Sequence, residues 1–446
     1  MRKIALLLAL VLMGLIGWLG LQDDVQQSGD TARREPAQVE APAQVEAFVA
    51  ERVDGPGATL AERTGSTFLP VPADPYRSPR FRVIDLPEFA GANAIWGATG
   101  RDRRGHIWFG VSVKGGRYSA RLFEYDPVLD RVFERGDAVS NLIAAGIHKD
   151  GERQMTLHSR IVQADDGYLY FTTTDEHGVA LDGTALPKWG SHLWRLYPGE
   201  NRWEHLRQVP EGLTALAGGG RWVYALGLWD HVLYQYDTAT GVMNSVTVGA
   251  AGGHISRNFI ADLRGHVFVP RVTPEGAALV EFDPHLREIA ETPLRGYMAD
   301  GQHDRSHGII GLVYLADGSM AFSIHLGNLY RILPQERGPS FVEPLGPFNP
   351  ADPNYSPSLF TFAGERFLVG LARRTHAGKR DLLRHIWLVY DLESDRAERV
   401  TFPLEGQALL YGSITRDLQG RFYVAGRRHT AGEGNRPLLI QIDTSQ

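Results

Sequence analysis

The feature that most constrains this chain is a short phrase that it repeats. From His254 to Pro284 the residues read as strand, tight turn, strand, loop, strand and turn. Ser256–Ala261 is the first expected strand, and Asp262-Leu-Arg-Gly265 is the turn, with Gly265 free to take positive φ. His266–Val269 is the second strand. A loop from Arg271 to Gly276 leads to the third, Ala278–Phe282, and a polar fourth strand follows at Glu288–Pro293. A meander this short cannot bury both of its faces alone and needs copies of itself to stack on.

The copies are present. The turn-plus-strand phrase recurs at Asp102–Gly110, Asp165–Thr173, Gly218–Leu226, Ala316–Ile324, Ala363–Leu371 and Leu418–Gly426. The third strand recurs as RLFEYDP, HLWRLYP, VLYQYDT, NLYRILP, IWLVYDL and LLIQIDT. The turns fall about every 45 to 60 residues, the spacing of propeller blades rather than of helical solenoids. The sequence therefore predicts an all-β, seven-bladed β-propeller of four-stranded antiparallel blades. The last copy has three strands and no room for a fourth. Phe81–Leu86, ahead of the first blade, has the character of the missing outer strand and is expected to close the ring, removing two open sheet edges.

The predicted organisation is a signal anchor or signal peptide at 1–21, a flexible linker at 22–79 and the propeller at 80–446. Met1-Arg-Lys is basic and Ile4–Leu21 is an uncharged apolar run, between a signal-peptide core and a minimal membrane span in length. No small-x-small cleavage site follows it, which favours an uncleaved anchor over a cleaved signal. On either reading the propeller is exported, to the periplasm on an inner-membrane anchor or into the medium. The linker is polar and carries PAQVEA twice in tandem. There is no cysteine, so thiol chemistry and disulfides are excluded. The net charge of −6 argues against a nucleic-acid partner. The expected state is a monomer.

Propeller topology sorts side chains without coordinates. Starts of inner strands and the loops between second and third strands share one face; the turns between first and second strands lie on the other. The first face receives Trp96, His158, Arg257, Tyr411, His177, His231, Arg305, Arg373 and Arg427, while His106 and His266 fall in turns on the opposite face. A cationic mouth on an acidic chain points to an anionic ligand, because arginine forks match oxyanions. Arg257, His231, Arg305, Arg373, Arg427 and Tyr411 are the candidate substrate-binding residues. His158 and His177, at one channel mouth, suit proton abstraction, and His254 with Arg271 forms the equivalent pair on the fourth blade, where the guanidinium would neutralise a carboxylate. His303, His307 and His325 cluster on the fifth blade beside Asp304 and are the candidate ligands of a divalent metal (zinc, calcium or manganese); no cofactor is demanded by the sequence.

The second-blade stretch LHSRIVQADDGYLYFTTTDEH, followed by GSHLWRLYP, resembles the seven-bladed propeller polysaccharide lyases, in particular the ulvan lyase group. The resemblance runs from about Trp96 to Asp443. It is specific in the second and fourth blades; elsewhere its G-x-IWFG and YDP phrases are shared with streptogramin-lyase-like and sensor propellers. It implies β-elimination from a uronic acid, with His158 and His177 in the place of the family's histidines and Arg271 in that of its arginine. The family's tyrosine position is occupied here by His254. The family often has a structural zinc, whose ligands are not matched. Two functions therefore compete: a lyase acting on an anionic polysaccharide or oligosaccharide, and a non-catalytic propeller that binds or scaffolds at the membrane.

Overall fold

In the computed structural model of the protein the described residues are 71–72, 74–115, 117–180, 184–228, 230–250, 256–297, 308–324, 327–348, 355–374, 384–404 and 407–444. The expected anchor and most of the expected linker lie outside them.

Seven antiparallel sheets follow one another along the chain, spanning 92–137, 162–209, 213–247, 260–293, 309–347, 355–402 and 407–443. Consecutive strands pair within each sheet. These are the seven blades the repeats predict. The seventh is completed by Arg80–Val83, antiparallel to Gly434–Asp443 with Phe81 opposite Ile442. The closing strand is thus a shorter stretch than Phe81–Leu86: it ends at Val83, after which Leu86 and Phe89 turn to pack on the interface between the last blade and the first.

The core is a ring, not a centre. Each of the seven blade-to-blade interfaces has its own apolar cluster. Trp108, Trp194 and Trp387 are fully buried in three of their strands. Period-2 alternation on both faces of a blade produces this arrangement, since each sheet packs against two neighbours. Close approach between blades is enforced at Gly100, where a Cβ would come within 2.0 Å of the Ile161 carbonyl oxygen of the next blade.

Two local details differ from expectation. In the fourth blade the second strand is Val267–Thr273 and the third is Gly276–Phe282, so Arg271 lies on a strand rather than in a loop. The predicted turn is as expected, with Gly265 at φ +82°. A short helix, Ala138–Ala144, links the first two blades; Asp137 caps it by accepting from the Ser140 amide at 3.0 Å. The chain is docked before residue 80: Tyr76 meets Phe367 edge-on, ring centroids 6.1 Å apart, and Arg396 lies 5.3 Å over the Tyr76 ring.

Candidate functional site

The innermost strands are irregular where they approach one mouth of the channel. In the first blade the inner strand is broken into Ala92–Ala94 and Thr99–Arg101, and Trp96 sits in the break. In the second it is reduced to Val162–Gln163, with a single bridge from Thr156 to Thr174 upstream, and His158 and Arg160 lie between. In the fourth it is only Ile260–Ala261, preceded by Arg257 and Asn258.

Side chains take over the hydrogen bonds that the ladder gives up, as buried backbone requires. The Ser112 hydroxyl donates to the Leu157 carbonyl and accepts from the Leu157 amide, both at 3.1 Å, and the Ser159 hydroxyl accepts from the Thr172 amide at 3.1 Å. His231, fully buried at φ +46°, does the same for the fourth blade. Its Nδ1 lies 3.1 Å from the Pro270 carbonyl oxygen, and its Nε2 accepts from the Ser256 amide at 3.2 Å. That pattern fixes one neutral tautomer and makes His231 the support of the segment that presents Arg257.

The breaks bring six side chains to one small pocket, lined by Trp96, His158, Arg160, Arg257, Asn258 and Tyr411, with Gly97 and Ile310 completing the wall. Trp96 is its centre. Tyr411 packs on it at 4.6 Å between centroids, His158 lies parallel to it at 6.3 Å and 4° between planes, and Arg427 stands 5.1 Å over its ring. His158 Nδ1 is 3.1 Å from the Thr214 carbonyl oxygen, so the proton sits there, and Nε2 accepts from Arg257 Nη1 at 3.2 Å. Burial first, and then the Arg257 charge, hold the imidazole down to about 3.

The guanidiniums are only partly engaged. Arg160 Nη1, Arg257 Nε and Arg427 Nε are buried and have no hydrogen-bond partner among the described residues. Glu176 accepts from the Thr156 hydroxyl at 2.9 Å; burial pushes its carboxyl up, against the pull of Thr156 and Arg257.

Of the candidate residues, the pocket brings together His158, Arg257 and Tyr411, with Arg427 over its tryptophan. His177 is exposed in the loop after Leu169–Thr174, its amide bonded to Asp175 at 2.9 Å. Arg271 is turned toward the outer strand of its own blade, paired with Glu288 at 2.5 Å and Glu291 at 2.8 Å, and it donates to the Val248 carbonyl at 2.9 Å. Of Arg373 only the backbone is described, opposite Tyr355 and His385. His254, Arg305, His303, His307 and His325 lie outside the described residues. Arg160 was missed by the sequence reading, although His158-Ser-Arg160 at the head of an inner strand places both on one side of the chain.

Among the described residues one trio has the spacing of a metal site, Asp102, His106 and Glu124, on the opposite face. Its charges are already met. Arg104 bonds Asp102 at 2.7 Å and Glu124 at 2.5 Å, Arg135 bonds Glu124 at 2.6 Å, and His106 Nδ1 lies 2.5 Å from Glu124. The fourth blade repeats it as Asp262, Arg264, His266 and Glu281, with His266 Nδ1 at 2.7 Å from Glu281. A cation would have to displace guanidiniums, so the trio reads as a clasp that ties the turn to the third strand. A further buried network, Glu152–His192–His205, joins at 2.9 Å per step behind the second blade.

No protein-family model and no curated protein matches the chain. Its fold is similar to that of the extracellular domain of a hybrid two-component system from B. thetaiotaomicron, with 15% identity and a TM-score of 0.50 over 81% of this chain. This chain spans 39% of that protein's length. It is also similar to the β-propeller domain of Cps50 (Swd1) from Myceliophteria thermophila, with 10% identity and a TM-score of 0.51 over 82% of this chain and 100% of that one. At these identities the likeness establishes the seven-bladed propeller and nothing finer.

Proposed function

We propose that the mouth of the channel is a receptor site for an anionic carbohydrate, a uronic-acid oligosaccharide or the end of a polysaccharide, held without cleavage. The observation that carries this is the set of buried N–H groups on Arg160, Arg257 and Arg427 around Trp96 that have no partner among the described residues. Guanidinium forks answer a carboxylate, and a half-buried indole in the wall answers the apolar part of a sugar ring. Leaving such donors dry costs free energy that an incoming oxyanion would recover.

β-Elimination is the second reading. It is favoured by the position of His158 in the pocket, with the Nε2 lone pair turned inward. Against it, an imidazole held near 3 is a feeble base for a carbon acid, and its lone pair is occupied by Arg257. The strand that closes the ring enters from the face opposite the mouth, at Arg80 beside Asp443. A tether on that side leaves the mouth open to an exported ligand. Among the described residues no helix is long and apolar enough to cross a membrane; the Ile4–Leu21 run lies outside them.

The test is titration calorimetry of the folded propeller with uronate oligosaccharides, run beside absorbance near the enol-uronate band. Heat that Trp96→Ala and Arg257→Met abolish, with a flat absorbance trace, supports a receptor. An absorbance rise lost in His158→Ala would replace it with a lyase. No heat with any acidic sugar would overturn both.

A further inference from the structure

Arginines elsewhere in the propeller are held by carboxylates. Arg104 is set by Asp102 and Glu124, Arg264 by Asp262 and Glu281, Arg271 by Glu288 and Glu291, and Arg366 by Asp391. Each such pair fixes the guanidinium and cancels its charge in the same contact. Arg257 is held differently. Among the described residues its one hydrogen bond runs from Nη1 to Nε2 of His158, at 3.2 Å, and no carboxylate pairs with it. Glu176, the acid in its field, is bonded to the Thr156 hydroxyl at 2.9 Å, and burial favours the neutral form of that carboxyl. An imidazole that accepts is uncharged, so the contact orients the guanidinium and leaves its positive charge whole.

The ring that does this is itself fixed. The backbone on either side is pinned: the Ser112 hydroxyl bonds both the amide and the carbonyl of Leu157 at 3.1 Å, and the Ser159 hydroxyl accepts from the Thr172 amide at 3.1 Å. Nδ1 lies 3.1 Å from the Thr214 carbonyl oxygen, on the inner strand of the third blade. The ring is parallel to Trp96, 4° between planes and 6.3 Å between centroids. With the Nδ1 proton given to Thr214, Nε2 can only accept, and Arg257 is its donor.

A guanidinium offers a carboxylate two forks, Nη1 with Nη2 at its end and Nε with Nη2 along its side. His158 takes Nη1, which leaves the side fork. The Nε of that fork is buried without a hydrogen-bond partner among the described residues, and Arg257 lines the pocket around Trp96.

We infer that His158 is a positioning residue for Arg257: it holds Nη1 so that the Nε–Nη2 fork is presented to an oxyanion in the pocket, and it does so without neutralising that fork. The inference rests on the receptor reading of the mouth, and adds to it the reason that a histidine rather than an acid stands beside the arginine.

The test uses the full chain and two readouts. The first needs no ligand: the Nε–H NMR signal of Arg257, assigned by its loss in Arg257→Met, reports whether the side chain is held. The second is the calorimetric Kd for glucuronate and galacturonate trisaccharides. The wild-type signal is expected to be that of an ordered side chain. In His158→Leu it should become mobile, and binding should weaken at least about tenfold, the worth of one charge-assisted hydrogen bond. His158→Gln, whose amide oxygen can accept from Nη1, should recover both. His158→Glu should keep Arg257 ordered yet bind at least about tenfold more weakly than His158→Gln, because its carboxylate cancels the charge. A merely structural histidine would give no such order between the Gln and Glu variants. Circular dichroism confirms each fold, and if His158→Leu does not fold, the Gln and Glu pair carries the test. Wild type that binds neither trisaccharide overturns the receptor reading and this inference with it. Wild type that binds, beside a His158→Leu with an ordered Arg257 signal or an unchanged Kd, overturns the inference alone. So does a His158→Glu that binds as tightly as His158→Gln.

Discussion

Arg257 donates to Nε2 of His158 across 3.2 Å, joining the fourth blade to the second over the open channel, with the third blade bypassed. The contact sets the charge of the mouth. His158 gives its Nδ1 proton to Thr214 and receives a guanidinium on the other nitrogen, so protonating it would both bury a charge and face it with Arg257.

A pH dependence follows. The folded value lies near 3 and the unfolded one near the ordinary 6.5. Between them the unfolded chain takes up a proton that the folded chain refuses, so this group's contribution to stability is complete above the ordinary value and is lost progressively on acidification. The His158 ring resonances should not titrate between about pH 5 and 8. In Arg257→Met the ring pKa should rise, since one of the two causes of its depression is gone. NMR titration of the two proteins checks both statements.

His231 predicts a positioning effect. Removing its ring in His231→Ala leaves the Ser256 amide and the Pro270 carbonyl without their partner. The expected loss is about 1–3 kcal/mol for each buried group left dry. Affinity at the mouth should fall as well, because the segment ahead of Arg257 loses its support. His231→Gln, which can donate and accept, should recover part of both. Denaturant melts and calorimetry read the two quantities separately.

The repeat was legible because blade packing writes itself locally: turn glycine, alternating strand, Asp-Pro. Trp96, His158, Arg257 and Tyr411 could be assigned to one mouth because position within a blade fixes which face a residue reaches. Arg271 shows the limit. Its partners, Glu288 and Glu291, lie on the outer strand of its own blade, and nothing in the spacing of Arg271 says that the side chain turns outward to them. The Glu152–His192–His205 network was illegible for a related reason: its members come from a loop and two separate strands, and only the register of 191–196 against 204–209 brings the histidines together. His158 and His177 lie on one side of the second blade by topology, yet a loop exposes one and the channel encloses the other.

The clasps predict how the opposite face responds to pH and to metal. Burial opposes protonation of His106, but the bond to Glu124 together with the Asp102 and Glu124 charges outweighs it, and the imidazole is raised above its ordinary value. Its stabilisation is therefore full below the ordinary value near 6.5 and is lost as pH rises through the folded one. Glu124 is lowered despite burial, by His106, Arg104 and Arg135, so its share is present above the ordinary carboxylate range and fades on acidification. Glu124→Gln should abolish the alkaline loss assigned to His106, seen as a flatter stability profile. Zinc or a chelator should leave the thermal midpoint unchanged, because Arg104 and Arg135 already occupy the carboxylate.

Glu152 anchors the second blade from behind. It is 3% exposed, and His192, 1% exposed, holds one of its oxygens at 2.9 Å while the Lys149 amide holds the other at 3.2 Å. Burial and then the neighbouring His192 hold His205 down to about 4, which keeps the outer imidazole neutral and able to pass one hydrogen bond inward. Glu152→Ala should cost about 2–4 kcal/mol, the range for leaving a buried polar partner unmet. Glu152→Gln should cost less, because the amide oxygen still accepts from His192. Urea unfolding of the two variants decides between them.

The closing strand carries the last prediction. Phe81 packs on Phe402 at 4.7 Å between centroids, within the interface of the sixth and seventh blades. Arg82 reaches back to Gln441 at 2.7 Å and to the Tyr125 hydroxyl at 2.5 Å, so the first blade is tied to the last by a residue that belongs to neither end of the ring alone. Removing the chain up to Val83 strips the outer strand from the seventh blade and exposes the edge of Gly434–Asp443. The truncated propeller should unfold at lower denaturant with a broader transition, and it should self-associate through that edge. Phe81→Ala should lower stability by about 2–3 kcal/mol, less than the full cost of a buried aromatic because the ring is only partly enclosed. Arg82→Ala should cost about 1–2 kcal/mol: its ion pair with Asp130 is exposed to solvent, and its part-buried bonds to Gln441 and the Tyr125 hydroxyl carry the effect. A truncation that melts like the intact chain would show that the ring holds without its clasp.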